Sequence, residues 1–257
     1  MARLSYGSYL HVDELLALQQ PLSQPPHHDE TLFIIIHQVY ELWFKQIMHE
    51  IEAVIARLRD GELLKGSKHL RRIHTIQGLL ERQVEVLETM TPQDFNQFRD
   101  NLNPASGFQS FQFRELEFLC GLKATEHLKH LEMDEVQKGR LERRLAGRTL
   151  YDALKDALRE RSFSVDTHDG LLAAFQSIYE NEDRYPDVYG LLEDLIEFDE
   201  RFLLWRGRHI RMVERMIGLK MGTGGSTGVS YLATTLDKKF FPELWEVRTH
   251  LGKGSYA

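Results

Sequence analysis

The sequence predicts an all-α protein, a helical bundle built around two or three long helices. Apolar and aromatic residues recur at steps of three and four in several segments, which is the spacing of a buried helix face. No segment alternates apolar and polar residues as a half-buried strand does, and no repeat with a period of about 20–50 residues occurs. The chain is 42% hydrophobic and 28% charged, as is typical of soluble globular proteins.

The length, net charge and cysteine count of the chain restrict the possible classes of function. We expect a single domain over residues 1–257, without a nucleic-acid partner, because the net charge is −7 and nucleic-acid surfaces need basic patches. Cys120 is the only cysteine, so no disulfide can form within the chain, which fits a reducing cytoplasm. There is no apolar run long enough for a membrane span and no apolar core of a signal peptide near the N-terminus.

The N-terminal part is expected to lack regular packing. Residues 1–12 are predicted to be an extended segment. A short helix capped by Asp13 and running through Leu18 is expected next, followed by a proline-broken connection around Pro21–Pro26. The run His27–Glu30 has two interpretations, a metal site or a helix start. The helix start is favoured, because neighbouring residues on a helix point about 100° apart and chelate poorly.

The first long helix has one continuous apolar stripe. Its members are Phe33, Ile36, Tyr40, Trp43, Ile47, Ile51, Val54 and Leu58. His37 lies one turn after Phe33 at the edge of this stripe. A second helix follows, with a buried face at Leu70, Ile73, Gln77, Leu80, Val84 and Leu87.

A short helix is predicted to begin at Thr91-Pro92, with Thr91 as the cap. Arg99 follows Phe95 by one turn and so shares its face. An arginine among aromatic residues is either a surface residue with an apolar stem or a clamp for a carboxylate.

The middle of the chain is less informative. Phe108, Phe111 and Phe118 predict a fourth helix, and residues 122–170 are expected to form a variable, partly exposed helical insertion. A helix over Leu171–Tyr179 follows. A short helical tail is predicted near residues 229–236 and 241–247.

The last long helix is the most regular element. Its apolar positions follow a packed seam with steps of four and three, at Leu191, Leu195, Phe198, Phe202, Trp205, Met212 and Met216. His209 occupies the remaining position of the seam, so it is either a core histidine with a bonded neighbour or part of a site. The acidic residues between 193 and 200 are assigned to a solvated face.

A glycine-rich loop, Met221–Gly228, follows this helix. It lacks the G-x-x-x-x-G-K-[ST] pattern, and a dinucleotide fingerprint would follow a strand, so a nucleotide site is not favoured. The loop is interpreted either as a plain helix cap and linker or as a mobile lid whose Thr223, Ser226 and Thr227 supply hydroxyl groups to a polar ligand.

Other catalytic motifs do not stand out in the sequence. No G-x-S-x-G, H-E-x-x-H or spaced carboxylate pair is prominent, the Glu-x-x-His motifs of a di-iron bundle are not provided, and nothing in the spacing supports a non-haem iron site with two histidines and a carboxylate. From the residues alone, a cofactor-dependent enzyme acting on an aromatic carboxylate is one hypothesis.

An ordered set of motifs is more specific than any one of them. It covers nearly the whole chain and closely resembles the tryptophan 2,3-dioxygenase family. The matching segments are Tyr6–Leu10, His27–Gln38, Glu41–Trp43, Phe98–Asp100, Ser106–Ser110, Trp205–His209 and Gly222–Gly228.

The resemblance implies a homotetrameric, all-α enzyme with a b-type haem. In this family ferrous haem and O₂ open the indole C2–C3 bond of L-tryptophan, which gives N-formyl-L-kynurenine. By similarity, His209 is the axial ligand of the haem iron. His37 is the distal residue that accepts a hydrogen bond from the indole N–H, a role that needs a neutral imidazole.

The resemblance also implies the remaining site residues. Arg99 pairs with the substrate carboxylate, Thr223 binds the amino-acid end and Phe33 forms a wall of the indole pocket. Phe95 takes a position where some members carry tyrosine, so a hydroxyl contact to the carboxylate is missing here. Residues of the N-terminal segment complete the pocket of a neighbouring protomer, namely Tyr6, Tyr9 and Leu10.

Two other functions stay open at the level of the sequence. Haem relatives with similar pockets insert one oxygen atom into tryptophan or a substituted tryptophan and give an oxindole in secondary metabolism. A haem-binding or tryptophan-sensing helical module would bind without turnover.

Overall fold

The all-α prediction is confirmed by the fold. The computed structural model describes residues 3–125, 128, 131, 133–223 and 228–252, and within these ranges it has twelve α-helices and no strand. The helices are α1 (Tyr6–Leu10), α2 (Val12–Leu16), α3 (His28–Arg59), α4 (Leu63–Leu87), α5 (Pro92–Phe98), α6 (Phe111–Cys120), α7 (Glu135–Ala146), α8 (Leu150–Glu160), α9 (His168–Glu180), α10 (Pro186–Ile217), α11 (Val229–Ala233) and α12 (Pro242–Glu246).

Helix α4 lies between the two longest helices and packs along both α3 and α10. The apolar faces predicted for these three helices are buried, apart from Phe33 and Trp43 of α3, which are partly buried against the same core. The predicted seam of α10 is confirmed, since its apolar members are at most 9% exposed. The three long helices therefore form the frame on which the other elements are placed.

Polar side chains of α4 fix its position against both neighbours. The Gln83 side-chain amide donates to the Ile36 carbonyl of α3 at 2.8 Å. The Gln77 amide donates to the Phe198 carbonyl of α10, also at 2.8 Å. Buried hydrogen bonds to specific carbonyls define the register between helices more sharply than apolar contact does. Because Ile36 precedes His37, one of these bonds lies directly beside a predicted site residue.

The prediction of an extended segment over residues 1–12 is wrong, because this segment contains α1, and α2 begins within it at Val12. The short helix predicted after Asp13 corresponds to α2. Ser5 and Ser8 form a reciprocal capping box that nucleates α1. His11, with φ at 52°, ends α1 and begins α2. Neither helix buries any of its residues. Local capping is therefore enough to form α1 without a contact to the core.

The N-terminal helices are attached to the body through Glu30, a buried residue in the first turn of α3. Its carboxylate accepts hydrogen bonds from the Leu22 amide at 2.6 Å and from the Ser23 amide at 3.0 Å. Helix α3 begins at His28 with His27 as its cap, which confirms the interpretation of this run as a helix start.

Residues 122–170 are helical where the structure describes them, but the interpretation as a partly exposed insertion fails for α8. Leu150, Leu154 and Leu158 are at most 1% exposed, and α8 packs on α3. Their spacing of four places them on one face, so the helix enters the core. Arg140 of α7 pairs with the buried Glu115 of α6, and this ion pair attaches α7 to α6.

The start of the fourth helix also differs from the prediction. Helix α6 begins at Phe111, while Phe108 lies in a separate 3₁₀ turn, Gly107–Gln109. Ser110 caps α6 by accepting a hydrogen bond from the Phe113 amide. This cap explains why the helix starts late. The predicted cap of α5 at Thr91 is confirmed and forms a capping box with Asp94.

Asp199 corrects the assignment of the acidic residues of α10 to a solvated face. It is fully buried, and its carboxylate accepts hydrogen bonds from the Phe240 and Phe241 amides and from the Trp245 indole. The predicted C-terminal helical tail is thus anchored in the core. Among the described helices, none combines the length and the apolar character that crossing a membrane requires.

Candidate active site

A large cavity opens beside α10 and is enclosed by α3, α5, α6 and α11. Its empty volume is about 1600 Å³, a value that includes the open solvent at its mouth. Its walls are mainly apolar and aromatic, with members including Tyr40, Phe44, Leu87, Phe113, Met212 and Met216.

His37 lines the cavity from α3. Its Nδ1 is 2.7 Å from the Phe33 carbonyl oxygen, and because a carbonyl only accepts, Nδ1 carries the proton. The neutral ring then keeps its lone pair on Nε2. Burial lowers the pKa of His37 below its usual value, against smaller opposing effects of the Phe33 bond and of Glu41. The ring is thus held as a neutral hydrogen-bond acceptor.

His209 lines the same cavity from α10. It is only half-buried by exposed area, since the ring borders the open space, but the surrounding protein desolvates it strongly. Burial lowers the pKa of His209 to about 4, with His37 as a minor cause. Its ring is stacked on Trp205 at 5.8 Å between centroids and 26° between planes. A neutral, fixed imidazole is the form that binds a metal.

Arg99 and Thr223 meet at the rim of the cavity. The Arg99 guanidinium donates to the Met221 carbonyl, and the Thr223 hydroxyl donates to the Ala105 carbonyl at 2.6 Å. Arg99 lies where α5 passes into a 3₁₀ turn and is half-buried. A cation and a hydroxyl at the mouth of an aromatic cavity suit a ligand with an apolar body and a polar, anionic end.

Phe33 and Phe95 form an aromatic wall of the cavity beside His37. Their rings are stacked at 5.6 Å, and both contact Phe98 edge-on. The Phe33 ring is also 4.1 Å from the His37 ring. Aromatic clusters of this kind offer flat faces to a planar ligand. Helical spacing on α3 and α5 brings these residues together.

Three residues of the predicted site lie elsewhere. Tyr6, Tyr9 and Leu10 do not line the cavity, and they are 79%, 70% and 44% exposed on α1. Of the residues assigned to the loop, Ser226 and Thr227 are outside the described residues. The cavity therefore brings together six of the nine predicted positions, which are Phe33, His37, Phe95, Arg99, His209 and Thr223.

Sequence reasoning gave no role to several side chains that line the cavity. Glu41 lies one turn after His37, and its carboxylate accepts a hydrogen bond from Gln112 at 2.7 Å. Arg206 lies one turn before His209 and contacts Glu117 at 3.3 Å. Helical periodicity applied to the two histidines would have found both, because residues three and four apart share a face.

The side chains around the cavity fit a haem. Neutral His209 offers one nitrogen to an iron, and the aromatic and thioether side chains around it suit a flat macrocycle. Within the described ranges, no three His, Cys, Asp or Glu side chains cluster as ligands of a metal ion. The residues present fit a prosthetic group with a single axial histidine.

Fold and site together define a class, a helical protein whose long helices enclose an aromatic cavity with two neutral histidines and a cationic rim. Comparison with known proteins makes the class specific. The sequence model of one family, described as tryptophan 2,3-dioxygenase, matches residues 1–159 and 150–251.

Curated relatives match over nearly the full chain. A tryptophan 2,3-dioxygenase of Nocardioides sp. (strain ATCC BAA-499 / JS614) is 48% identical over 255 residues, covering 97% of this chain and 96% of its own. One of Herpetosiphon aurantiacus is 47% identical over 258 residues, covering 96% and 98%. One of Xanthomonas euvesicatoria pv. vesicatoria is 44% identical over 263 residues, covering 97% and 88%. The chain belongs to the tryptophan 2,3-dioxygenase family and is an oxidoreductase.

Proposed function

We propose that this protein is a haem-dependent dioxygenase that cleaves the indole C2–C3 bond of L-tryptophan with O₂ and gives N-formyl-L-kynurenine, in tryptophan degradation. The observation that carries the proposal is the cavity itself. It brings His37 of α3 and His209 of α10 together with Arg99 and Thr223 at its mouth. Family membership supplies the reaction class, and the side chains of this chain supply the means to bind its substrate.

His209 would hold the haem iron. Its low pKa keeps the imidazole neutral at physiological pH, and stacking on Trp205 restrains the ring. When bound, the haem supplies the redox-active iron that the reaction of tryptophan with O₂ requires. The apolar walls of the cavity would keep bulk water from the reacting centre.

His37 would orient the indole ring. Because Nδ1–H donates to the Phe33 carbonyl, Nε2 is the acceptor nitrogen, and an indole N–H is a donor without a lone pair to offer. The hydrogen bond fixes the ring in the pocket without removing a proton. Phe33 and Phe95 would hold the faces and edges of the indole by aromatic contact.

Arg99 would bind the carboxylate of the amino acid. A guanidinium pairs with a carboxylate through two parallel hydrogen bonds, which fixes direction as well as position. The Thr223 hydroxyl would bind the ammonium and carboxylate end. Substrate orientation is then defined at two points, the indole N–H at His37 and the carboxylate at Arg99.

The active unit would be a cytoplasmic homotetramer. The apolar and aromatic side chains exposed on α1, among them Tyr6, Tyr9 and Leu10, support a role at a neighbouring protomer's pocket. Residues 1–11 would thus act as an arm that reaches a neighbouring protomer. Glu30 would maintain the direction of this arm through its bonds to Leu22 and Ser23.

Mass spectrometry of the product tests the proposal. Ferrous, haem-loaded protein is mixed with L-tryptophan under ¹⁸O₂. We expect a ring-opened product that carries two labelled oxygen atoms. One labelled atom in an oxindole would instead assign the protein to the monooxygenase alternative, and a haem-loaded protein without any product would contradict turnover of L-tryptophan.

A further inference from the structure

Glu41 is a charged side chain in the wall of a mainly apolar cavity. It lies four residues after His37 on α3, and both side chains line the cavity. Residues four apart on a helix share a face, with about 5–6 Å between their Cβ atoms. The carboxylate of Glu41 is therefore a neighbour of the imidazole that is proposed to bind the indole N–H.

A side chain of α6 holds the Glu41 carboxylate in place. The Gln112 amide donates to this carboxylate at 2.7 Å and to the Glu41 backbone carbonyl at 3.2 Å. Gln112 lies in the first turn of α6, next to Phe113, which lines the cavity. Because an amide carries no charge, Gln112 restrains the carboxylate without neutralising it.

The negative charge of Glu41 acts on the nitrogen of His37 that accepts hydrogen bonds. Nδ1 of His37 donates to the Phe33 carbonyl, so the lone pair is on Nε2. Burial lowers the pKa of His37, and the Phe33 bond and the charge of Glu41 both oppose this effect. Two neighbours thus draw positive charge onto the ring. A ring polarised in this way accepts a stronger hydrogen bond from an N–H donor, and the effect is weakly screened in an apolar cavity.

We propose that Glu41 is a positioning residue for the indole, because its carboxylate, held by Gln112, strengthens the hydrogen bond that His37 Nε2 accepts from the indole N–H. The inference rests on the proposed function, in which His37 orients the indole ring. Glu41 acts through His37 and needs no contact with the ligand. It would favour ligands whose ring carries an N–H donor over rings of the same shape without one.

Two ligands that differ at one ring atom test the inference. L-Tryptophan has the N–H donor, and 3-benzothienyl-L-alanine has a sulfur atom in its place. Both are titrated into ferric, haem-loaded protein under nitrogen, where the haem spectrum reports binding without turnover. The ratio of the two dissociation constants measures the preference for the N–H donor, because effects common to both ligands cancel.

The wild-type protein is expected to bind L-tryptophan more tightly than the sulfur analogue. Glu41→Gln keeps an acceptor for Gln112 but removes the charge. We expect it to reduce the preference by about twofold to fivefold, since one neighbouring charge is lost from a weakly screened site. The change is expected in the affinity for L-tryptophan, while the affinity for the sulfur analogue stays nearly the same.

Two further variants separate charge from structure. Glu41→Asp keeps the charge on a shorter side chain and is expected to keep the preference within about twofold of the wild-type value. Glu52→Gln is the matched control, because it removes the same charge from a position of α3 that pairs with Arg144 and does not line the cavity. It is expected to leave the ratio unchanged. In a His37→Ala background, which lacks the acceptor, adding Glu41→Gln is expected to change the ratio no further.

The outcomes distinguish the inference from the proposed function. Equal weakening of both ligands by Glu41→Gln would overturn the inference, because Glu41 would then only support the shape of the cavity. An effect on the ratio that persists in the His37→Ala background would also overturn it. A normal preference in the wild type that Glu41→Gln leaves unchanged would refute the inference alone. Equal binding of both ligands by the wild type would show that His37 does not recognise the indole N–H, and this part of the proposed function would fail together with the inference.

Discussion

His209 is the residue proposed to hold the cofactor, since it offers a neutral imidazole to the cavity. We expect His209→Gly to abolish the Soret band of the purified protein, because no other histidine of α10 is present to replace it. Added imidazole, which can occupy the space left by the side chain, is expected to restore the band. His74→Gln is the control, because His74 is a buried histidine that bonds to the Asp194 carbonyl and does not line the cavity. A variant at His209 that keeps its haem without imidazole would contradict the assignment.

Arg99 is proposed to bind the carboxylate of an amino-acid substrate. We expect Arg99→Leu to weaken L-tryptophan binding by about 2–5 kcal/mol, the loss that follows removal of one partner of a desolvated ion pair. The dissociation constant of L-tryptophan, measured by titration of the haem spectrum, checks this. The exposed neighbour Gln97, changed to Leu, is expected to bind normally. An unchanged dissociation constant in Arg99→Leu would exclude the carboxylate clamp.

The contact between α3 and α4 depends on a buried carboxylate. Glu50 accepts hydrogen bonds from His69 at 2.7 Å and from Arg72 at 2.8 Å. Burial alone raises the pKa of Glu50, but these hydrogen bonds together lower it below its usual value. We expect Glu50→Gln to reduce the free energy of unfolding at pH 7 by about 1–3 kcal/mol, as measured in urea.

The same substitution has a defined dependence on pH. Because the folded-state pKa of Glu50 lies below the unfolded value of about 4.3, its stabilisation is complete above that pH and is lost as the pH falls through the folded-state pKa. The difference between wild type and Glu50→Gln is thus expected to shrink in acid. Glu52→Gln, which breaks a partly exposed pair with Arg144, is the control and is expected to change stability by less than about 1 kcal/mol. A difference that grows in acid would refute the role of the carboxylate.

Gly228 lines the cavity and has too little space around it for a side chain. Gly228→Ala places a Cβ atom against the Lys220 carbonyl, so the backbone has to shift. We expect KM for L-tryptophan to rise by about tenfold, from strain on the order of 1–3 kcal/mol at the segment that carries Thr223. Gly218→Ala is a matched control, because Gly218 also has φ at +59° but no atom within 4 Å of its Cβ position. Equal effects of the two substitutions would show that strain at positive φ, and not the contact with Lys220, determines KM.

Elements with a regular period could be predicted from the sequence, as could the cap of α5 at Thr91, but the capped helix α1 could not. The seam of α10 and the stripe of α3 follow from residue spacing, and they place His209 and His37 on faces that line the cavity. Helix α1 depends on hydrogen bonds within Ser5–Ser8, a short-range effect without an apolar pattern. The burial of Asp199 depends on a partner segment about 40 residues further along the chain, and no spacing on α10 reveals it.

At the scale of the whole molecule, contacts within one protomer do not explain why apolar side chains of the N-terminal segment are exposed. Leu4, Tyr6, Tyr9 and Leu16 are each at least 70% exposed, although they are apolar or aromatic. Apolar side chains gathered on an arm indicate a contact with another surface. This fits the proposal that the arm completes a neighbouring pocket, and it explains why the chain's own cavity does not contain these residues.

Mixed oligomers test this role of the arm. Protein lacking residues 1–11 is expected to bind haem but to turn over little L-tryptophan. Protein with His209→Ala keeps the arm but lacks the proposed haem ligand. We expect the two inactive proteins, unfolded together and refolded as a mixture, to regain activity. In a mixed oligomer, the arm of a His209→Ala protomer can complete the pocket of a truncated protomer that still has His209. Full activity of the truncated protein alone, or no recovery in the mixture, would contradict exchange of arms.

The proposed site residues came from two different sources of information. Spacing alone identified His37, Arg99 and His209 as unusual, but the alternatives of core histidine and surface arginine remained open for them. They were connected only by the order of the motifs along the chain, which resembles that of the family. The fold then placed these three residues around one cavity. Glu41 and Arg206 were missed because no motif assigned them a role, although each lies one helical turn from a proposed site histidine.

The most direct test of the account is a crystal structure of the haem-loaded protein with L-tryptophan. We expect iron coordinated by His209, the indole N–H within hydrogen-bond distance of His37 Nε2, and the carboxylate bound to Arg99. Iron held by any other residue, or tryptophan bound outside the cavity between α3 and α10, would contradict it.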